Sequence, residues 1–340
     1  MKRTFDTLGF LSPQGQPPIA DPELHEHLDG MLFTPTPPFV SETEAVINGV
    51  NNFPGLIAVK SFLETQPNLK IAETAEDLAN REGKTAIILG LQQTPHDIDP
   101  VKLQELHKHG VRVMTLAYQE ENHPLGSGYI NPDKPLTTEG RNFLEECANL
   151  GMIVDLSHVG HQTARDVLDF KDQEQLDLPV IASHGGVYEL FDGTNPNSNN
   201  NLRNLPLEVL QRIAEAKGLV GIYALTFGLS ETDDSLAPFL NQIIEASTML
   251  GSTALTIGTD SVYKKRDPTE WEATVRWLTD TIAKTGELEP RYPDIPFDLN
   301  RPDKLSLIAQ ELTSTGMPQG EVSQIVGENA FKFFTQHLPK

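Results

Sequence analysis

Cysteine is nearly absent from this chain: 340 residues contain one, Cys147, so no disulfide can form within it. Cys147 lies in the helical run NFLEECANL and reads as a small buried hydrophobe. Basic residues are also scarce, with 26 Lys and Arg against 48 Asp and Glu, a formal net charge of −22. That balance argues against nucleic acid and anionic membrane as partners, because both require a basic patch. It suits a solvated acidic surface and can also steer cations and metal ions. No apolar run approaches the ~18 residues of a membrane span, and the N-terminal MKRTFDTLGFLSPQGQPP has no apolar core of signal-peptide length. The expectation is a cytoplasmic protein with no membrane partner.

What is present is an alternation. Short apolar runs and helical patterns take turns along most of the chain, the signature of βα units around a parallel sheet. Strands are expected over 22–27, 45–50, 85–91, 111–117, 152–157, 179–183, 219–223 and 254–259. Eight is the number that closes a barrel. Helices are expected over 74–81, 100–109, 138–150, 163–170, 207–217, 236–250, 270–284, 304–315 and 319–334, several of them stopped by Gly. The fold class is therefore α/β, a (β/α)8 barrel with extra C-terminal helices, in one domain spanning 1–340. Two long loops, 191–204 and 287–303, are rich in Asn and Gly or in Pro and Asp. The first follows the expected sixth strand and would lie over the functional face.

Three of the apolar runs end on metal-capable residues: MIVDLSH on His158, PVIASH on His184 and ALTIGTD on Asp260. Residues at the C-terminal ends of barrel strands read as catalytic. Imidazole with carboxylate suits zinc and its divalent neighbours. A fourth segment, ELHEH, sets His25 and His27 two apart. In a strand, such residues point to one side and could share one ion; His27 with Asp29 is an alternative frame. Asp260 could ligate a metal, accept a proton from metal-bound water, or both. Asp155, inside the fifth strand, must be paired; it either orients a His ligand or is a satisfied core group. Arg203, beside Asn204, could clamp a substrate carboxylate with two hydrogen bonds or sit at the surface. His96, His107, His109, His123, His161 and His337 lack partners at ligand spacing and read as surface or structural.

These segments together resemble the membrane (renal) dipeptidase family of the amidohydrolase superfamily. The resemblance runs from about residue 23 to residue 334 and is carried by GKTAIILGLQ, GVRVMTLAYQEEN, PLTTEGRNFLEECANLGMIVDLSHVG, PVIASH, the Arg203–Asn204 dipeptide, LTIGTD and GENAFKFF. It implies a barrel with a two-zinc site, hydrolysis of dipeptides and related amides, and a homodimer. The family's first-strand ligands would fall on His25 and His27, its fifth- and sixth-strand ligands on His158 and His184, and its substrate-gripping Arg on Arg203. Its proton-handling Asp would fall on Asp260.

Three positions depart from the family. Gln92 stands where a carboxylate bridges two metals, His27 where an acid is usual, and Tyr118 where a His contacts substrate. The expected site is thus His25, His27, His158, His184 and Asp260, with Gln92 a weak ligand. Asp260 and His184 would be catalytic, and Arg203, Asn204 and Tyr118 would bind substrate. One ion on His25, His27, His158 and Asp260 is one arrangement, leaving His184 to polarise the attacked carbonyl. Two ions with Gln92 as a ligand, or a barrel without chemistry that serves only to bind, are the others. Metal-assisted hydrolysis of a dipeptide or small amide is the favoured function; hydrolysis of a lactone, cyclic amide or amine is the alternative.

Overall fold

The computed structural model describes residues 3–11, 22–34, 53–282 and 289–340. Eight strands close into a parallel barrel: β1 (Phe5–Asp6), β2 (Gly30–Phe33), β3 (Thr85–Leu91), β4 (Val111–Thr115), β5 (Ile153–Asp155), β6 (Val180–Gly185), β7 (Val220–Ile222) and β8 (Leu255–Ile257). Each pairs with its neighbours in chain order, and β1 against β8 makes the closing seam. Helices follow the strands and cover the outside, giving the (β/α)8 architecture. Leu69–Ile71 adds a short strand against β3.

Local chemistry explains most of the boundaries. β3 is apolar and fully buried along its length, as a strand covered on both faces must be. The helix Thr138–Leu150 starts where Thr137 caps the Gly140 N–H and stops at Gly151, whose φ of 66° favours glycine. Pro100–Lys108 begins behind the Asp99 cap with Pro at its first turn.

The first two strands differ from expectation. Residues 24–27 form a helical turn, Leu24–His27, not a strand. The first barrel strand is instead Phe5–Asp6, and the second is Gly30–Phe33. The expected strand over 45–50 lies outside the described residues. β1 is only two residues long, and one carboxylate fastens it. Asp6 is fully buried and accepts hydrogen bonds from Leu8 N, Thr259 N, Thr259 Oγ1 (2.6 Å) and Tyr263 Oη (2.7 Å). Past the barrel rim the seam continues as a second parallel pair, Gly9–Phe10 against Ser261–Val262. Lys304, also fully buried, donates to Ser261 Oγ at 2.7 Å and to the Val262 carbonyl at 2.5 Å. Burial moves both groups toward neutrality, Asp6 up to about 6 and Lys304 down to about 7.

Among the described residues, no helix is long and apolar enough to cross a membrane.

Candidate active site at the barrel mouth

His158, His184 and Asp260 meet at the C-terminal ends of β5, β6 and β8. The Nε2 atoms of His158 and His184 face each other at 2.9 Å, with both rings buried. His184 is held from behind. Its Nδ1 lies 2.7 Å from Ser183 Oγ, which donates to Asp155 Oδ2 at 2.5 Å. Because Ser183 gives its proton to Asp155, it accepts from His184 Nδ1–H, and the lone pair of His184 is on Nε2, turned into the mouth. Asp155 also accepts from Ser157 N and Ser183 N. It therefore orients His184, the first of the two roles its sequence position allowed.

Burial first, then the positive charge of Arg203, holds both imidazoles well below the ordinary histidine value, so both are neutral and ready to act as ligands. His158 Nδ1 is buried without a hydrogen-bond partner. His158 and Asp260 also carry left-handed backbone, with φ of 67° and 54°. Strain of this kind at non-glycine residues collects where a side chain must be aimed. Gly258 permits the approach: a Cβ there would lie 2.0 Å from the Ser183 carbonyl oxygen.

Arg203 enters from the loop after β6. Its Nη2 is 2.8 Å from Asp260 Oδ2 and 3.2 Å from His158 Nε2. The guanidinium lies over the Tyr223 ring at 4.6 Å, and its Nη1 has no partner. Asn204 anchors this loop by accepting from Gly186 N and Tyr223 Oη and donating to the Gly228 carbonyl. His161, which the sequence left as surface or structural, is buried and donates to the carbonyls of Asn204 (2.8 Å) and Leu202 (3.1 Å). Burial raises the Asp260 carboxyl, and Arg203 opposes the rise. Asn204 thus supports Arg203 and does not line the mouth.

Among the described residues, the remaining strand ends contribute no imidazole or carboxylate to the cleft. Beyond β1 stand Leu8 and Phe10, both buried. They lie directly beside Asp260, whose N–H donates to the Leu8 carbonyl at 2.9 Å. Gln92, beyond β3, donates to Thr34 Oγ1. Tyr118, beyond β4, stacks on His158 with ring centroids 4.1 Å apart. A cleft opens here, walled by Phe10, Tyr118, Leu225, Phe227 and Val262 around Arg203 and Asp260.

His25 and His27 do not join this cluster. Thr4, which precedes β1, donates to the His27 carbonyl, and Asp29 accepts from Thr4 N. The turn therefore sits at the N-terminal ends of the strands, opposite the mouth, with His25 exposed and His27 half-buried. Residues two apart on a helix also point in different directions, which removes the shared-ion argument. The sequence passed over Asp6, Leu8 and Phe10; the one signal was an acid beside a Phe in TFDTLGF.

The donor set at the mouth is smaller than a two-ion site needs. Two neutral imidazoles present nitrogens to one point, beside a carboxylate. Among the described residues no three carboxylate or imidazole ligand atoms there lie within 4.8 Å of one another. Two other groups do: Glu23, Glu26 and His27 at the opposite end, and His96, Glu120 and His123 at the rim. In the second, both ring nitrogens of His123 are committed, Nδ1 accepting from Leu125 N and Nε2 donating to the Thr94 carbonyl.

A family model described as membrane dipeptidase (peptidase family M19) matches residues 40–291. The chain is 29% identical over 204 residues to the dipeptidase tcpJ of Claviceps purpurea, covering 56% of this chain and 44% of that protein. It is 32% identical over 165 residues to the uncharacterized dipeptidase C965.12 of Schizosaccharomyces pombe, covering 46% of this chain and 36% of that one. The alignments thus span less than half the length of these curated relatives. Among solved structures, an amidohydrolase from Pseudomonas aeruginosa superposes with a TM-score of 0.74 at 21% identity, covering 99% of this chain and 96% of that one. A metallo peptidase from Rhodobacter sphaeroides, liganded with a phosphinate mimic of L-Ala-D-Ala, superposes with a TM-score of 0.70 at 18% identity over 99% of both chains. At these identities the superpositions speak to the fold.

Proposed function

Because the chain belongs to the membrane dipeptidase family, we propose that its mouth hydrolyses the amide bond of a dipeptide or similar small amide with the help of one divalent ion, zinc by the chemistry of the donors. The carrying observation is the pair of neutral, inward-turned imidazoles of His158 and His184 beside the Asp260 carboxylate. His158 and His184 would hold the ion. When bound, a divalent ion lowers the pKa of an attached water toward neutral and polarises a carbonyl.

The chain's own groups do the rest. Asp260 accepts the proton of the attacking water and hands it to the leaving amine. Arg203 engages Oδ2 of that carboxylate, which leaves Oδ1 for the transfer. Burial raises the Asp260 carboxyl, which favours its taking up a proton, and the Arg203 charge opposes that rise. The unpartnered Nη1 of Arg203 donates to a substrate carboxylate. Ser183 and Asp155 keep His184 in one tautomer throughout. Phe10, Leu225 and Phe227 exclude water from the reacting amide.

Tyr118 favours a second reading. Its ring covers one face of His158, which narrows the cleft to flat or small acyl groups and suits a lactone or cyclic amide. A panel of L,L and L,D dipeptides, acyl amino acids and lactones, assayed with zinc and again after chelation, separates the two. Turnover of dipeptides that chelation abolishes supports the first reading. Turnover confined to lactones or cyclic amides supports the second, and no turnover of any member ends both.

A further inference from the structure

Resting on the hydrolase reading above, we propose that Arg266 sets the substrate class of the cleft: its Nε–H binds the side-chain carbonyl of a C-terminal Asn or Gln, on the residue whose carboxylate Arg203 holds.

Arg266 lines the same cleft as Arg203 and Asp260, among the apolar side chains of Phe10, Leu225, Phe227, Val262 and Leu278. It is buried and fixed in place. Its backbone N–H donates to Asn300 Oδ1 at 2.8 Å, and its carbonyl accepts from Asn300 Nδ2 at 2.7 Å. The guanidinium lies over the Trp271 ring at 4.5 Å. Nη1 and Nη2 both donate to Asp294, at 2.9 and 2.8 Å, while Nε has no partner. Among the described residues five buried side-chain nitrogen or oxygen atoms lack a partner, and two of these, Arg203 Nη1 and Arg266 Nε, belong to residues lining this single cleft. A buried, unpaired donor on a charged group is costly, so two in one cleft point to a ligand with two acceptors.

The charges around Arg266 decide which acceptor it takes. Asp294 engages both Nη groups and offsets the guanidinium charge, and it also accepts from Trp271 Nε1 and Ile295 N. What Arg266 still offers is one directed hydrogen bond without net charge. A second substrate carboxylate would meet Asp294 and Asp260, which already repel: after burial, the Asp294 charge adds to the rise of the Asp260 carboxyl. A hydrocarbon side chain would leave Nε unpaired. A neutral amide carbonyl satisfies the donor and brings no charge with it.

The test reads binding, so it stands apart from turnover. Alanyl dipeptide isosteres with a methylene in place of the scissile carbonyl cannot be hydrolysed. Those ending in Gln, Asn, Glu, Asp or Leu, in both configurations of the last residue, are titrated into the protein by calorimetry. The Gln or Asn isostere should bind about tenfold or more tighter than its acid counterpart and than the Leu isostere. Equal affinities, a preference for the acids or for Leu, or no binding by any member overturns the proposal.

Asp294→Asn unmasks the Arg266 charge and should move the preference toward the acids by about tenfold or more; an unmoved preference overturns the proposal. Arg266→Met combined with Asp294→Leu removes donor and counter-charge together, and should bind the Gln and Leu isosteres within about threefold of each other. A Gln preference that survives in that folded protein overturns it as well. If neither variant folds, as judged by thermal unfolding, the wild-type ranking decides. Amide-selective binding by a protein that hydrolyses no dipeptide of the same series ends the hydrolase reading and leaves the amide subsite standing; dipeptide turnover with no amide preference does the reverse.

Discussion

One side of the mouth, built by β5, β6 and β8, presents His158, His184 and Asp260; the other, built by β1, β3 and β4, presents Leu8 with Phe10, Gln92 and Tyr118. The two sides are stabilised in different ways. On the donor side two of the three reactive groups have a polar partner: Ser183 and Asp155 behind His184, Arg203 beside Asp260. On the other side the contacts are apolar packing and stacking, and the polar work is done below the rim by Asp6. Chemistry that needs aimed lone pairs can thus persist on half a barrel, provided the other half keeps the seam shut and the cleft dry.

That contrast can be broken most completely at the ligands. His184→Ala or His158→Ala should reduce hydrolysis to the background rate and release the ion, measured by turnover and metal content together. Asp260→Asn should follow, with a loss of about 10²–10⁴-fold in kcat while the ion is retained. On the apolar side the largest effect should be on stability. Asp6→Ala leaves the Leu8 and Thr259 N–H groups and the Tyr263 hydroxyl without their acceptor, and should cost about 2–4 kcal/mol by denaturant unfolding. A loss below about 0.5 kcal/mol would show that packing alone closes the seam.

Ser183→Ala sharpens the contrast further. It removes the group that fixes the His184 tautomer and should lower metal affinity about 10–100-fold, with little change in melting temperature. The smallest effect is pH-dependent. Burial holds the His161 ring below its ordinary value, so the native protein binds fewer protons there than the unfolded chain. Its contribution to stability is complete above about pH 6.5 and declines as pH falls toward the lowered native value. His161→Gln should flatten that slope in melting curves between about pH 6.5 and 5; an unaltered slope would assign it to other groups.

Much of this was legible in the sequence where local signals agree. The strand Thr85–Leu91 and the helix Thr138–Leu150 were read end to end, because one is a continuous apolar run and the other is capped by Thr and stopped by Gly. The strand-end positions of His158, His184 and Asp260 were legible for the same reason. The first strand was not. Two residues carry no periodicity, and what makes Phe5–Asp6 a strand is a carboxylate bonded to Thr259 and Tyr263, more than 250 positions away. The His-x-His of ELHEH offered a local pattern in its place, and the helical turn there dissolved it. Arg203 was visible as a possible clamp, but its pairing with Asp260 depends on a loop conformation set by His161 and Asn204, which no spacing rule conveys.

The seam at Asp6 also sets an order of events. A ribosome releases Asp6 more than 250 residues before Thr259 and Tyr263. The first strand must therefore wait, unpartnered on one edge, until the last barrel strand has been made. Contacts this distant in sequence are slow to form. The same closure brings Leu8 and Phe10 beside Asp260 and completes the mouth, which exists only once the last strand has docked.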